Sequence, residues 1–146
     1  MVLRVPLVSV DPDLALPRYA LPGDAGVDLV ARAGVLVAPG GGRALVPTGV
    51  RVAIPEGYAG LVLPRSGLAL RHGLTLANSP GLIDSGYRDE LCAVVINTDP
   101  EKAYEIRRGD RVAQLVVIPV AEVEWEVVAE LEPSERMYGR FGHTGS

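Results

Sequence analysis

Cysteine is almost missing from this chain, and the lone Cys92 excludes an internal disulfide framework. It falls between Leu91 and Ala93 in an apolar run, where an unpaired thiol suits a reducing, cytoplasmic setting. Histidine is nearly as scarce. His72 and His143 fall in loop or tail segments, offer Cys92 no base, and form no cluster that would store a transition metal. Lysine is reduced to Lys102 among 14 basic residues, and the formal net charge is −4. That balance argues against a general nucleic-acid surface, because counterion release needs many basic groups on one face. A polyanion has to be met locally; the arginines offer planar forks suited to phosphate, although codon bias alone accounts for their excess. Long apolar runs are lacking too. None approaches the ~20 residues of a membrane span. The N-terminal stretch Val2–Val10 is broken by Arg4 and Pro6, with no small-residue cleavage site after it, and reads as a first strand.

What is present is short, Val- and Leu-rich runs punctuated by 17 Gly and 12 Pro. After Val2–Val10 come Val27–Ala31, Gly34–Val37, Arg43–Ile54, Tyr58–Leu63, Leu74–Ala77, Glu90–Asn97, Tyr104–Ile106, Arg111–Val120 and Trp125–Leu131. Such spacing predicts an all-β chain, with a jelly-roll-like β-sandwich as the architecture. The single helical candidate is Ser66–His72, with Ser66 as its cap and Gly73 as its stop. At 146 residues the chain fits one domain, able to bury roughly 70% of its unfolded surface. Composition changes once, at Pro133. The expectation is a β core over 1–132 and a polar, glycine-rich, flexible tail over 133–146.

Five segments carry residues suited to chemistry. Ala25–Leu29 contains Asp28, which taken alone is a turn or capping carboxylate. In Pro64–Ala69, Arg65, Ser66 and Gly67 bring a guanidinium, a hydroxyl and helix N–H groups together, as phosphate binding requires. In Asn78–Glu90, Pro80-Gly81 signals a turn and Gly86 can supply a positive φ, which predicts a tight hairpin with Asp84 on its incoming strand and Tyr87 on its outgoing one. Gly109–Leu115 holds Gln114, a polar residue in an apolar strand that must be satisfied by a neighbour or a ligand, unless it faces solvent. The tail Arg136–Gly145 combines Arg136, Arg140 and the one Phe, Phe141; it reads either as a plain disordered end or as a lid that stacks on a base and grips phosphate.

In the third segment Asn78, Gly81, Ile83, Asp84 and Tyr87 fit N-x-x-G-x-I-D-x-x-Y. That pattern resembles the third motif of the trimeric dUTP diphosphatases, and the five segments in order resemble that family's five motifs over nearly the whole chain. The resemblance implies hydrolysis of dUTP to dUMP and diphosphate with Mg²⁺, by a homotrimer whose sites each draw on all subunits. Such an activity keeps uracil out of DNA and supplies dUMP for dTMP synthesis. Carried over by position, Asp84 would activate the attacking water, assisted by Asn78 and Gln114. Tyr87 would pack on the deoxyribose and exclude a 2′-hydroxyl. The main chain from Asn78 through Gly81 to Ile83 would read the uracil edge, because the donor and acceptor pattern of cytosine would leave groups unpaired. Arg65 and Ser66 would hold phosphate oxygens, Arg136 the γ-phosphate, and Phe141 would stack on the uracil, with Gly67 and Gly142 also among the substrate-binding residues. Asp28 would act on Mg²⁺ through water, most ligands coming from substrate phosphates and water.

The chain departs from the family pattern at Asp89, Met137 and Arg140, where glycine is usual, and at His143, where a small hydroxyl residue is common. Asp89 suits a turn; Met137 bears on how closely the tail backbone can approach phosphate. The rival readings are a dCTP deaminase of the same fold, a nucleotide-sensing protein without catalysis, and a plain structural jelly roll. The deaminases lack the full hairpin together with this tail, and the other two leave Asp84, Gln114 and the Arg-Phe tail unexplained.

Overall fold

Alternation of buried and half-exposed side chains governs how the chain folds. The computed structural model describes residues 2–142, 144 and 145. Their elements, in chain order, are β1 (Leu7–Ser9), β2 (Val27–Val30), β3 (Val35–Val37), β4 (Gly42–Val52), β5 (Tyr58–Leu63), α1 (Ser66–His72), β6 (Leu74–Leu76), β7 (Gly81–Ile83), β8 (Glu90–Asn97), β9 (Tyr104–Ile106) and β10 (Arg111–Pro119). β8 alternates strictly, burying Leu91, Ala93, Val95 and Asn97 while Glu90, Cys92, Val94 and Ile96 stay half-buried on the other face. That is the signature of a strand with one face on a core.

Two four-stranded antiparallel sheets, ordered β1-β4-β8-β6 and β2-β10-β5-β7, form the sandwich, and β3-β9 make a two-stranded ribbon beside it. Leu29, Val46, Val62, Leu74, Leu91, Val95 and Leu115 are among the apolar side chains that meet between the sheets. The one amide in that core, Asn97, is satisfied: Nδ2 donates to Val37 O at 3.1 Å and Lys102 O at 2.8 Å, and Oδ1 accepts from Asp99 N at 3.0 Å. The all-β jelly-roll-like sandwich with one short helix is therefore the observed fold.

Three local expectations change. Only Leu7–Ser9 of Val2–Val10 is a strand, because Pro6 lacks the N–H that a ladder needs. Trp125–Leu131 forms no strand: Val123, Trp125 and Val127 alternate with Glu122, Glu124 and Glu126, but no sheet edge within the chain takes them, and Trp125 is 85% exposed. Ser66 does not cap α1. Arg65 is the N-cap residue, extended at φ −99° and ψ 128°, no side chain caps the helix, and Ser66 is its first residue. Gly73 does end it, left-handed at φ 65°.

Candidate active site

β2, β10 and β5 lie side by side, so Asp28, Gln114 and Leu63 stand across from one another in register. The chain leaves β5 through Pro64-Arg65, which puts Arg65 over the same end of the sheet. Arg65 Nε donates to Asp28 Oδ1 at 3.0 Å, and Arg111 Nη1 lies 3.6 Å from Asp28 Oδ2. Gln114 Nε2 donates to Pro64 O at 2.9 Å, which satisfies this amide through a neighbour and ties β10 to the start of the Arg65 turn. Gly26 makes the approach possible: a Cβ there would stand 2.5 Å from Gln114 Oε1. Arg18 and Tyr19, with Arg111, line a cleft of about 670 Å³ that opens beside Asp28.

Asn78, Gly81, Ile83, Asp84 and Tyr87 cluster around β7 instead. The segment is not the hairpin expected from its glycines. β6 and β8 pair in one sheet, whereas β7 crosses to the other and pairs with β5, so the chain turns twice between sheets. Asp84 follows β7, and the turn closes through Tyr87 N donating to Asp84 O at 3.1 Å, before β8 begins. Gly86 is not among the positive-φ glycines. β7 is the edge of its sheet, with β5 on one side only, so part of its main chain is free to meet a ligand.

Arginines hold the second turn. Arg88 Nη1 donates to Ser85 O at 2.6 Å and Tyr87 O at 2.9 Å, and Arg51 Nε to Arg88 O at 2.7 Å. Asp89 behaves as a turn residue, its carboxylate accepting Glu90 N at 2.7 Å. The Tyr87 hydroxyl donates to Glu90 O at 2.8 Å. Burial, helped by the Asp89 charge, raises its pKa above the usual value, so the phenol stays a neutral donor. Asp84 is exposed and takes part in none of the ion pairs among the described residues.

One chain does not unite the two clusters. Along β5, Leu63 faces Gln114 while Gly60 faces Ile83. At about 3.3 Å per residue and about 4.8 Å per strand, Asp84 lies roughly 16 Å from Gln114, too far for both to bind one water. The tail forms a third group. Arg136 is engaged locally, Nε on Gly139 O at 2.9 Å and Nη2 on Arg140 O at 3.3 Å, and Phe141 is 105% exposed. Met137, at φ 49°, is the one non-glycine with positive φ among the described residues, a conformation that a glycine would adopt more readily. His143 lies outside the described residues.

The sequence profile of the dUTPase family matches residues 13–145. The chain belongs to the dUTPase family. The deoxyuridine 5′-triphosphate nucleotidohydrolase of Thermobifida fusca is 52% identical over 143 residues, covering 98% of this chain and 79% of the relative. That of Cutibacterium acnes is 55% identical over 141 residues, covering 97% and 91%. Among solved structures, the dUTPase of Staphylococcus bacteriophage 80alpha with dUpNHpp gives a TM-score of 0.89 at 29% identity, over 98% of this chain and 99% of that one. An Asp-to-Asn variant of the phage phi11 dUTPase, described with a structural Mg(II) ion, gives 0.80 at 27% identity, over 87% and 97%.

For this dUTPase-family chain, the sequence pointed to Asp28, Arg65 and Gln114 but not to Arg111, the second partner of Asp28. Nor did it point to Arg51 and Arg88. Arg88 lay inside the quoted hairpin segment and Arg111 inside the fourth, yet nothing in their spacing distinguishes a structural arginine from a solvated one.

Proposed function

We propose that this enzyme hydrolyses dUTP to dUMP and diphosphate, and so keeps uracil out of DNA while supplying dUMP for dTMP synthesis. The observation that carries the reading is the free edge of β7 between Asn78 and Asp84. Its main-chain N–H and C=O groups can pair with the uracil edge, and the cytosine pattern would leave them unmatched. Tyr87, held neutral beside that edge, supplies a wall against a 2′-hydroxyl. Asp84, exposed and unpaired by any arginine, can take a proton from water. Solved variants of the phage 80alpha dUTPase bound to dUpNHpp include an Asp-to-Asn and a Tyr-to-Phe replacement three positions apart, the separation of Asp84 and Tyr87.

The phosphate end belongs to Arg65, Ser66 and Gly67, with Arg136 and Gly142 of the tail. Because Asp84 and Gln114 are far apart in one chain, the complete site forms where copies meet, in a homotrimer. Two features support association. Cys92, Val94 and Ile96, with Leu45 across from Val94, give the outer face of β4 and β8 an apolar character. The alternating arm around Trp125 pairs with no strand among the described residues and leaves Trp125 exposed.

Mg²⁺ fits this donor set only as a companion of the substrate. Among the described residues no group of three or more His, Cys, Asp or Glu could hold an ion, and both Asp28 oxygens face arginines, which leaves Asp28 to order water around the ion. Carried in with the triphosphate, Mg²⁺ would offset the charge that develops as the phosphoanhydride bond between the α- and β-phosphates breaks. Among the described residues no helix is long and apolar enough to cross a membrane; the cytoplasm remains the proposed setting.

The test is turnover of dUTP against dCTP, following diphosphate and ammonia, in wild type and Asp84→Asn. Diphosphate from dUTP alone is expected, with kcat falling about 10²–10⁴-fold in a folded Asp84→Asn enzyme. Ammonia from dCTP, or near-normal turnover by the variant, defeats the reading.

A further inference from the structure

β4 is interrupted where β8 begins. Its pairing with β8 runs in register from Gly42 to Pro47, breaks, and resumes at Arg51 opposite Glu90. Across the break side chains replace the ladder. Thr48 Oγ1 donates to Leu91 O at 2.6 Å, and Gly49 N donates to Glu90 Oε2 at 2.9 Å. Gly49 is buried, and its φ of 79° suits the bulge. A Cβ there would also stand 2.8 Å from Leu14 Cδ1.

The Glu90 carboxylate is itself clamped. Arg32 Nε donates to Oε2 at 2.9 Å and Arg32 Nη2 to Oε1 at 3.0 Å, a bidentate fork that fixes its plane. Arg32 is anchored in turn, its N–H on Pro47 O at 2.8 Å and its carbonyl accepting Arg108 Nη1 at 2.9 Å. The other end of this chain of contacts is the Tyr87 hydroxyl on Glu90 O. One residue thus closes the bulge with its side chain and tethers Tyr87 with its main chain.

We infer that Glu90, clamped by Arg32 across the β4 bulge, is a positioning residue that seats Tyr87 and thereby sharpens discrimination between deoxyribose and ribose substrates. The inference rests on Tyr87 being the sugar-facing group of the proposed function. Losing the carboxylate leaves the Gly49 N–H without an acceptor, loosens the start of β8, and lets the Tyr87 ring move.

The experiment measures kcat/KM for dUTP and for UTP in wild type, Tyr87→Phe, Tyr87→Ala, Glu90→Ala, Glu90→Gln and the Tyr87→Phe/Glu90→Ala double variant, with amide exchange at Gly49 and Tyr87. Glu90→Ala is expected to lower the dUTP-to-UTP ratio by about three- to tenfold, the range for one lost tether. Tyr87→Phe should lower it similarly, and the double variant no further, because the Glu90 carboxylate reaches the sugar only by holding in place the Glu90 carbonyl that accepts the Tyr87 hydroxyl. Glu90→Gln, whose amide oxygen can still accept Gly49 N–H, should recover part of the loss. Exchange at Gly49 and Tyr87 should rise together in Glu90→Ala. A rise at Gly49 alone, or losses that multiply in the double variant, overturns the inference, because Glu90 then serves only the bulge. If both amides loosen while the ratio stays fixed even in Tyr87→Ala, the sugar-reading role of Tyr87 fails and the positioning of Tyr87 by Glu90 stands.

Discussion

Two inactive variants of this enzyme should restore each other when mixed. Asp84→Asn removes the proposed base from the turn after β7, and Arg65→Ala removes the proposed phosphate contact from the turn after β5. Within one chain the register puts Asp84 roughly 16 Å from Gln114, which is tied to the residue before Arg65. A site that uses both clusters therefore takes Asp84 from one copy and Arg65 from its neighbour. In a closed ring each site asks that one subunit carry an intact Asp84 and the next an intact Arg65. With equal amounts of the two variants assembled at random, each condition holds about half the time, so about one quarter of sites are wild type. Each variant alone should retain about 10⁻² of wild-type turnover or less. The mixture would then regain about 25% of wild-type activity, a rise of at least twentyfold or so over either parent. The assay is diphosphate release after co-refolding, with size-exclusion chromatography to verify assembly. A mixture that stays at the mean of its parents while forming mixed oligomers refutes the shared site. It would mean that each chain completes its own centre by a rearrangement of β7 against β10.

Truncation after Pro133 should leave folding nearly unchanged, because the described side chains it removes are exposed, Tyr138 and Phe141 almost entirely so. The same truncation should depress dUTP turnover severely; in a Trp125→Phe background, Phe141→Trp should report tail ordering by fluorescence when Mg²⁺ and a non-hydrolysable analogue are added, and normal activity in the truncated enzyme would demote the tail to an ordinary end. Acid stability offers a separate check on Glu90. The Arg32 hydrogen bonds hold its carboxyl below the usual 4.5. A depressed pKa contributes stability that is full above the unfolded value and is lost as pH falls through the folded one. Glu90→Gln should therefore flatten the decline of Tm below about pH 4.5. The slope that remains would belong to Asp11, held down by Arg108, and to Asp99, held down by the Lys102 and Glu101 N–H groups. An unchanged slope in the variant would show that Glu90 titrates alike folded and unfolded.

The local grammar of the chain was enough for much of this protein. Period-two alternation in Glu90–Asn97 and the Gly73 stop of α1 depend on residues close in sequence, and the fold class and motif order follow from such local signals. The residues of β7 were legible as chemistry while their geometry was not. Glycines and a proline announce a turn, but whether Gly81–Ile83 pairs with the strand after it or crosses to β5 is settled by which edge offers a free ladder. The same competition left Trp125–Leu131 without a strand, since its pattern is that of a β-strand and no strand among the described residues pairs with it. The Glu90–Arg32 clamp spans 58 positions and bridges a bulge, and no spacing rule reports such a contact. Only tertiary structure could show that Asp28, Arg65 and Gln114 converge at one end of a sheet while Asp84 and Tyr87 stand at the other. Strand order and register are decided by packing across the core, and that packing gathers four of the five short segments into two separate clusters while the tail stands apart as a third.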